Sequence, residues 1–387
     1  MLNDAPIISD DQWRTDRHHK CLPREKDSSG CAIVGLINED GALVDGGLVI
    51  RAIANMHDRS NGLGGGFAAY GIYPQWKSWY AFHLMFDHDA ARRQTETHLE
   101  AVFQIAHQEA IPTVHLEIIR QRPILVRYFV QPKDEIRARH YDLTDDDIVM
   151  MNVMHINKTI DGAFVFSSGR NMGCFKGVGY PEDIGRFFRL EEYRAYLWTA
   201  HGRFPTNTTG WWGGAHPFGI LDWAVVHNGE VSSYGKNRSY LANFGYQCTM
   251  HTDTEVIGYL FDLLVRKHRL PIEMACKAVA PPLWSQIEQM PATERELLRT
   301  LRIIYGGALL NGPFSIVVSH TGGLIGLNDR IKLRPMVAAR RGASLYVASE
   351  EAALRLMCPA PDLIWRPAGG VPVLGRLRAQ PQEVPVA

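Results

Sequence analysis

Short apolar runs closed by glycine, proline, asparagine or aspartate recur along this 387-residue chain, and they restrict its fold more than any other feature. Examples are "AIVGLI" at 32–37, "ILVRYFV" at 124–130, "FSIVVS" at 314–319 and "SLYVAS" at 344–349. Runs of this length between turn residues read as buried strands. Between them lie stretches with helical spacing, such as "DGGLVIRAIANMHDRS" at 45–60 and "TDTEVIGYLFDLLVRKH" at 252–268. The pattern predicts a mixed α/β protein with enough chain for an extensive core.

Residues 76 to about 145 differ in texture. "WYAFHLMF" alternates like a strand, "DAARRQTETHLEAVFQIAHQEA" reads as an amphipathic helix, and "TVHLEII" and "ILVRYFVQP" read as two more strands. This segment is expected to be an α/β insertion. Beyond it, "GAFVFSSGRNMGCFKGVG" is a hairpin candidate, "PEDIGRFFRLEEY" a helix opened by proline, and 271–304 a set of further helices. The Gly-rich "NGLGGG" lacks the spacing of a dinucleotide fingerprint and reads as a tight turn.

Charge and cysteine usage narrow the function classes. Lys+Arg and Asp+Glu both number 41, so no overall field points to nucleic acid or to an acidic membrane. No apolar stretch has the length of a membrane helix, and the N-terminus lacks the apolar region of a secretory signal. The six cysteines, at 21, 31, 174, 248, 276 and 358, form no CxxC pairs, which favours reduced thiols in a cytoplasm.

Cys31 stands at the boundary between the polar "REKDSSG" and the apolar "AIVGLI". Downstream, four polar knots interrupt apolar runs: "HGRFPTNTTG" at 201–210, "AHPFG" at 215–219, "VVHNGE" at 225–230 and "HTDTEV" at 251–256. Each has a structural reading. Asn228-Gly229 suits a hairpin turn, Thr252 or Asp253 a helix cap, and Arg203 a surface ion pair. His201, His216, His227 and His251 raise a metallohydrolase reading, although none of them stands at the spacing of an HExxH pair.

Taken in order, "CAIVGL", "MHDRSNGLGG", "HGRFPTN", "HNGE" and "TDTEV" resemble the class II glutamine amidotransferases, which share the N-terminal nucleophile hydrolase fold. The longer series "HGRFPTNTTGWWGGAHPF…VVHNGEVSSYGKN…TDTEV" is similar to the stand-alone amidotransferase subunit of archaeal-type glutamate synthase, and also to that of N-methylglutamate synthase. The later "GPFS", "NDRIKLRP" and "ASEEAAL" fit the same pattern. Ala32 departs from it, replacing the glycine that usually follows the nucleophile.

The resemblance implies an α+β fold, a four-layer α/β/β/α sandwich carrying the α/β insertion. It divides the chain into a leader or propeptide at 1–30, an amidotransferase domain at 31–365 interrupted at about 76–145, and a tail at 366–387. Cys31 would be the nucleophile, exposed as residue one by cleavage so that its own α-amino group becomes the base. Asn228 and Gly229 would supply the oxyanion hole, Arg203 would hold the glutamine α-carboxylate, Asp253 the α-ammonium, and Thr206 a further hydrogen bond. No cofactor or metal is expected on this chain. FMN, with iron–sulfur as a further expectation, would sit on partner subunits of a glutamate synthase-type complex that receives ammonia. Neither nucleic acid nor membrane is an expected partner. The rival readings are a hydrolase acting on another amide and an uncleaved scaffold or regulatory subunit of the same complex.

Overall fold

The computed structural model describes residues 30–120, 122–203 and 210–378. The leader short of Gly30, Thr206 and the last nine residues lie outside the described residues.

Seven antiparallel strands form the first sheet, in the order β17 (Leu363–Trp365), β15 (Val337–Arg341), β16 (Ser344–Ala348), β1 (Ala32–Asn38), β10 (Leu197–Gly202), β3 (Gly65–Tyr70) and β8 (Met172–Gly177). The second sheet has five, in the order β11 (Phe218–Ile220), β12 (Trp223–Gly229), β13 (Phe314–His320), β14 (Gly323–Asn328) and β18 (Val373–Arg376). A two-residue pair, β2 (Val44–Asp45) and β9 (Arg194–Ala195), closes one corner. A third sheet runs β5 (Phe103–Ala110), β6 (Ile124–Pro132), β4 (Tyr80–Phe86) and β7 (Ala163–Ser167).

The two large sheets lie face to face, with β1 and β10 against β12 and β13. Side-chain alternation along the second sheet explains why it is buried on both sides. Ala224, Val226, Val317 and Leu324 join the core shared with β1 and β10. Val225, Ile316, Val318, Ile325 and Leu327 join a second core under the helix Asp253–Phe261. Helices Gly46–Ala54, Pro181–Phe187 and Glu351–Met357 cover the opposite face of the first sheet. The layers are therefore helix, sheet, sheet, helix, the four-layer α+β sandwich expected. Strand β1 is buried on both faces, hence its unbroken apolar run.

Several local expectations are revised. The segment read as one helix from Asp89 is a helix only to Val102, after which Phe103–Ala110 pairs with β6. "TVHLEII" forms no strand. The hairpin expected at 162–179 does not form, because β7 pairs with β4 in the third sheet and β8 pairs with β3 in the first. The third sheet thus runs past residue 145 to Ser167 and takes in the helix Asp145–Thr159. Residues 373–376 are not tail, for β18 pairs with β14 and buries Val373.

Two arginines fasten this third sheet's unit to the sandwich. Arg170 meets Asp146 at 3.2 Å, and Arg266 meets Asp147 at 2.7 Å, both in the first turn of the helix Asp145–Thr159. Arg266 also forks onto Asp262, Nε to Oδ1 at 2.7 Å and Nη2 to Oδ2 at 2.8 Å, and Tyr246 donates its hydroxyl to the same carboxylate. Asp262 is fully buried, and it lies where the helix after Asp253 widens into a π turn, Asp262–Lys267. Removing one partner of such a pair strands the other. Asp262→Ala is expected to lower the unfolding free energy by about 3 kcal/mol, read from urea denaturation beside the wild type.

Candidate active site

Register and alternation assemble the site. In the antiparallel pairing of β1 with β10, Ala32 lies opposite Gly202, so Cys31 and Arg203 leave the two strands side by side. Arg203 is fixed through its backbone by the 60–64 loop. Its N–H donates to the Gly64 carbonyl at 2.9 Å, and its carbonyl accepts from Ser60 Oγ at 3.1 Å and from Asn61 N–H at 3.3 Å. A side chain at residue 64 would press into the Arg203 stem, with a Cβ only 3.1 Å from its Cδ. Glycine there lets the arginine lie flat along the loop.

The Arg203 guanidinium is largely buried, and burial lowers its affinity for a proton. The neighbouring Cys31, Asp253 and Glu230 act in the opposite direction. Those three groups and Arg203 therefore share one electrostatic neighbourhood. Cys31 itself is half-buried.

On β12 the period of two sends neighbouring residues to opposite faces. Asn228 lies on the face of Ala224 and Val226, between the sheets. It is fully buried, with Nδ2 3.4 Å from Ser349 Oγ. His227 lies on the face of Val225 and meets the start of the helix Asp253–Phe261. Gly229 ends the strand at φ +134°, and a Cβ there would fall 1.9 Å from the Pro313 carbonyl oxygen. Only glycine fits that approach. The Asn-Gly pair belongs to the end of a paired strand, not to a hairpin turn.

Thr252 caps the helix, its Oγ1 accepting from Thr254 N–H at 3.4 Å, which leaves Asp253 in the first turn. Asp253 Oδ2 accepts from Val231 N–H at 2.8 Å, tying the chain just past Gly229 to the helix start. Burial alone would raise the Asp253 pKa. The charge and hydrogen bond of His227, with bonds from Val231 and Thr254, lower it below the usual carboxylate value. A carboxylate at a helix N-terminus is further favoured by the helix dipole.

Three of the four histidines of the metal reading, His201, His216 and His227, form a stack. His201 and His216 have ring centroids 4.0 Å apart, and His216 and His227 6.5 Å. His201 Nε2 lies 3.0 Å from the His227 carbonyl oxygen, while His216 Nε2 and His227 Nδ1 each lie 3.2 Å from Thr254 Oγ1. Burial pushes His201 down to about 3 and His216 well below the ordinary value, so both are neutral near pH 7. The point on which two of these nitrogens converge is the Thr254 hydroxyl, and His201 Nε2 is turned to a backbone carbonyl. Among the described residues no cluster of three His, Cys, Asp or Glu is arranged to hold a metal ion. His201 and His216 instead wall the site beside Arg203 with uncharged rings.

Of the residues expected from sequence, Cys31 and Arg203 lie side by side at the ends of β1 and β10, Asn228 and Gly229 end β12, Asp253 opens the helix beside them, and Thr206 lies outside the described residues. Sequence reasoning missed Glu230, Thr254 and Ser349. Glu230 adjoins the recognised Asn-Gly pair and could have been found there, whereas Ser349 lies in "ASEEAAL", which fits the family pattern without indicating a role for the serine. A cavity of about 650 Å³ opens on the far side of the 60–64 loop, lined by Asn61, Tyr180, Trp211 and Trp212 among others. None of Cys31, Arg203, Asn228 or Asp253 lines it.

Residues 104–358 match the family model of class II glutamine amidotransferases. That match begins after the Cys31 strand, so the placement of Cys31 rests on the geometry above. The chain is 50% identical to an uncharacterized protein of Archaeoglobus fulgidus, over 93% of this chain and 96% of the relative. It is 26% identical to a putative glutamine amidotransferase of Methanothermobacter thermautotrophicus, over 84% of this chain and 93% of the relative. Among solved structures it is similar to the glutamine PRPP amidotransferase of B. subtilis, with a TM-score of 0.42 and 13% identity, covering 90% of this chain and 50% of that one. With most of the described sandwich inside the family match, the chain belongs to the class II glutamine amidotransferases.

Proposed function

We propose that this chain hydrolyses glutamine at Cys31 once the Gly30–Cys31 bond has been cut. The observation that supports the reading best is the shared electrostatic neighbourhood of Cys31, Arg203 and Asp253. With Cys31 and Arg203 leaving paired strands side by side, it supports a thiol near a cation suited to a carboxylate and an anion suited to an ammonium, as an amino-acid head group requires. An enzyme for another amide has no use for that pair.

In this reading Cys31 Sγ attacks the γ-carbonyl carbon, and the new α-amino group takes the thiol proton. A free α-amino group has a reference pKa of about 7.7–8.0, whereas the amide nitrogen of an uncut chain offers no base. The oxyanion receives hydrogen bonds from Asn228 Nδ2 and Gly229 N–H. Ammonia leaves with the proton returned by the amine, and a glutamyl thioester remains on Cys31. Water then attacks the thioester carbon, releasing glutamate and restoring the thiol. Arg203 holds the α-carboxylate through its planar fork, Asp253 the α-ammonium, and Thr206 completes the grip. Glu230 adds negative charge on the ammonium side.

Ammonia protonates in neutral water and is best used without release. The resemblance of the 201–256 series supports delivery to an FMN-containing subunit that builds glutamate, with N-methylglutamate as the alternative product. Purification from the native host with flavin absorbance in the same complex, followed by product analysis, decides between them.

The mature chain is expected to begin at Cys31 by intact mass and N-terminal sequencing. Cys31→Ala should abolish ammonia release from glutamine while leaving ammonia-driven synthesis by the complex intact. Full glutaminase activity in a chain that retains residues 1–30 would rule out the free-amine base. Arg203→Lys keeps the charge but loses the fork, and should raise KM for glutamine about 50-fold with a smaller effect on kcat, measured by steady-state ammonia release.

A further inference from the structure

Ser349 lies just beyond β16, and it joins the nucleophile strand to the asparagine at the end of β12. It is buried. Its N–H donates to the Ile33 carbonyl at 3.0 Å, and its Oγ accepts from the Ile33 N–H at 3.2 Å. The hydroxyl is thereby fixed two residues from Cys31. The same Oγ lies 3.4 Å from Asn228 Nδ2.

The hydrogen-bond inventory of this trio is unbalanced. A serine hydroxyl has one proton to give and two lone pairs to receive with. In the amide orientation of the structure, Ile33 N–H and Asn228 Nδ2 both donate to it, and its own proton serves neither contact. Asn228 Oδ1, meanwhile, is buried without a hydrogen-bond partner among the described residues. Buried amide oxygens are nearly always satisfied. Half a turn of the Asn228 amide satisfies the oxygen and brings the Nδ2 donors to the buried position where Oδ1 had no partner, leaving them for an incoming oxyanion. Oδ1 then accepts the Ser349 proton, the Ser349 oxygen keeps the Ile33 N–H, and Nδ2 is released from Ser349.

We propose that Ser349 is a positioning residue, which donates its hydroxyl proton to Asn228 Oδ1 and so holds Asn228 Nδ2 turned towards the carbonyl under attack at Cys31. The inference rests on the reading of Asn228 as an oxyanion donor. Because the serine is anchored on Ile33, the orientation of the donor on the second sheet is set from the strand that follows Cys31. No bond is made or broken at Ser349. Its contribution is to exclude the amide orientation that would present Oδ1 to the developing negative charge.

The test combines kinetics of the mature enzyme with an orientation measurement that needs no turnover. Ser349→Ala should reduce kcat for glutamine by about 10–100-fold, a fraction of what losing an oxyanion donor costs, with KM within about threefold of wild type. Ser349→Thr keeps the hydroxyl and should recover most of the rate. In wild-type protein labelled with ¹⁵N-asparagine, the Asn228 side-chain amide protons, assigned by their loss in Asn228→Asp, should show no NOE to the Ser349 β-protons. A kcat within twofold of wild type in the alanine variant, or equal losses in both variants, would overturn the proposal, and so would a strong NOE. A wild-type enzyme that hydrolyses no glutamine would defeat the glutaminase reading instead, and the NOE would still decide which end of the amide faces Ser349. It also decides the case if Ser349→Ala does not fold.

Discussion

The pairing of β1 with β10 is the constraint on which the rest of the site depends. Ala32 opposite Gly202 brings Cys31 and Arg203 to the same edge of the sheet. A shift of one residue would turn every side chain of β1 to the other face and undo both the core and the site. That register is strongly held because both faces of β1 are buried, one under helices and the other under the second sheet. Packing of the sandwich and placement of the thiol are therefore one requirement.

A second constraint is electrostatic. Arg203 is a largely buried cation, and such a group is tolerated only where opposite charge lies nearby. Asp253 and Glu230 provide it, and Asp253 is kept ionised by His227, by the Val231 N–H and by its place at a helix start. His201 and His216, held neutral by burial, add no competing positive charge beside the arginine. A zwitterionic head group entering this site would meet charges already separated by the protein, which lowers the reorganisation that binding requires.

Much of this was legible in the chain, for identifiable reasons. Strands β1, β6, β13 and β16 were readable because each is a short apolar run between turn residues. The long helix after Thr252 was readable from its spacing and cap. The site motifs were readable because Arg203, Asn228-Gly229 and Asp253 interrupt those runs in a family order. Where the reading failed, tertiary pairing overrode local pattern. Phe103–Ala110 has helix-compatible residues but meets the open edge of β6, and 162–179 looks like a hairpin only until β7 and β8 are seen in different sheets. Ser349 was read as the last residue of the strand "SLYVAS". Its contacts with Ile33 and Asn228 cross separations of 316 and 121 residues, and nothing in "VASEEA" announces them.

The position of β1 between β10 and β16 also governs when the molecule becomes chemically competent. One neighbour of the nucleophile strand is made at 197–202 and the other only at 344–348. During synthesis, the thiol-bearing segment is among the earliest parts of the sandwich to emerge, yet it waits for residues 344–348 before its second edge is covered. Such non-local closure is slow compared with helix formation. A nascent polypeptide thus carries Cys31 beside a strand with one edge uncovered until residues 344–348 have been made.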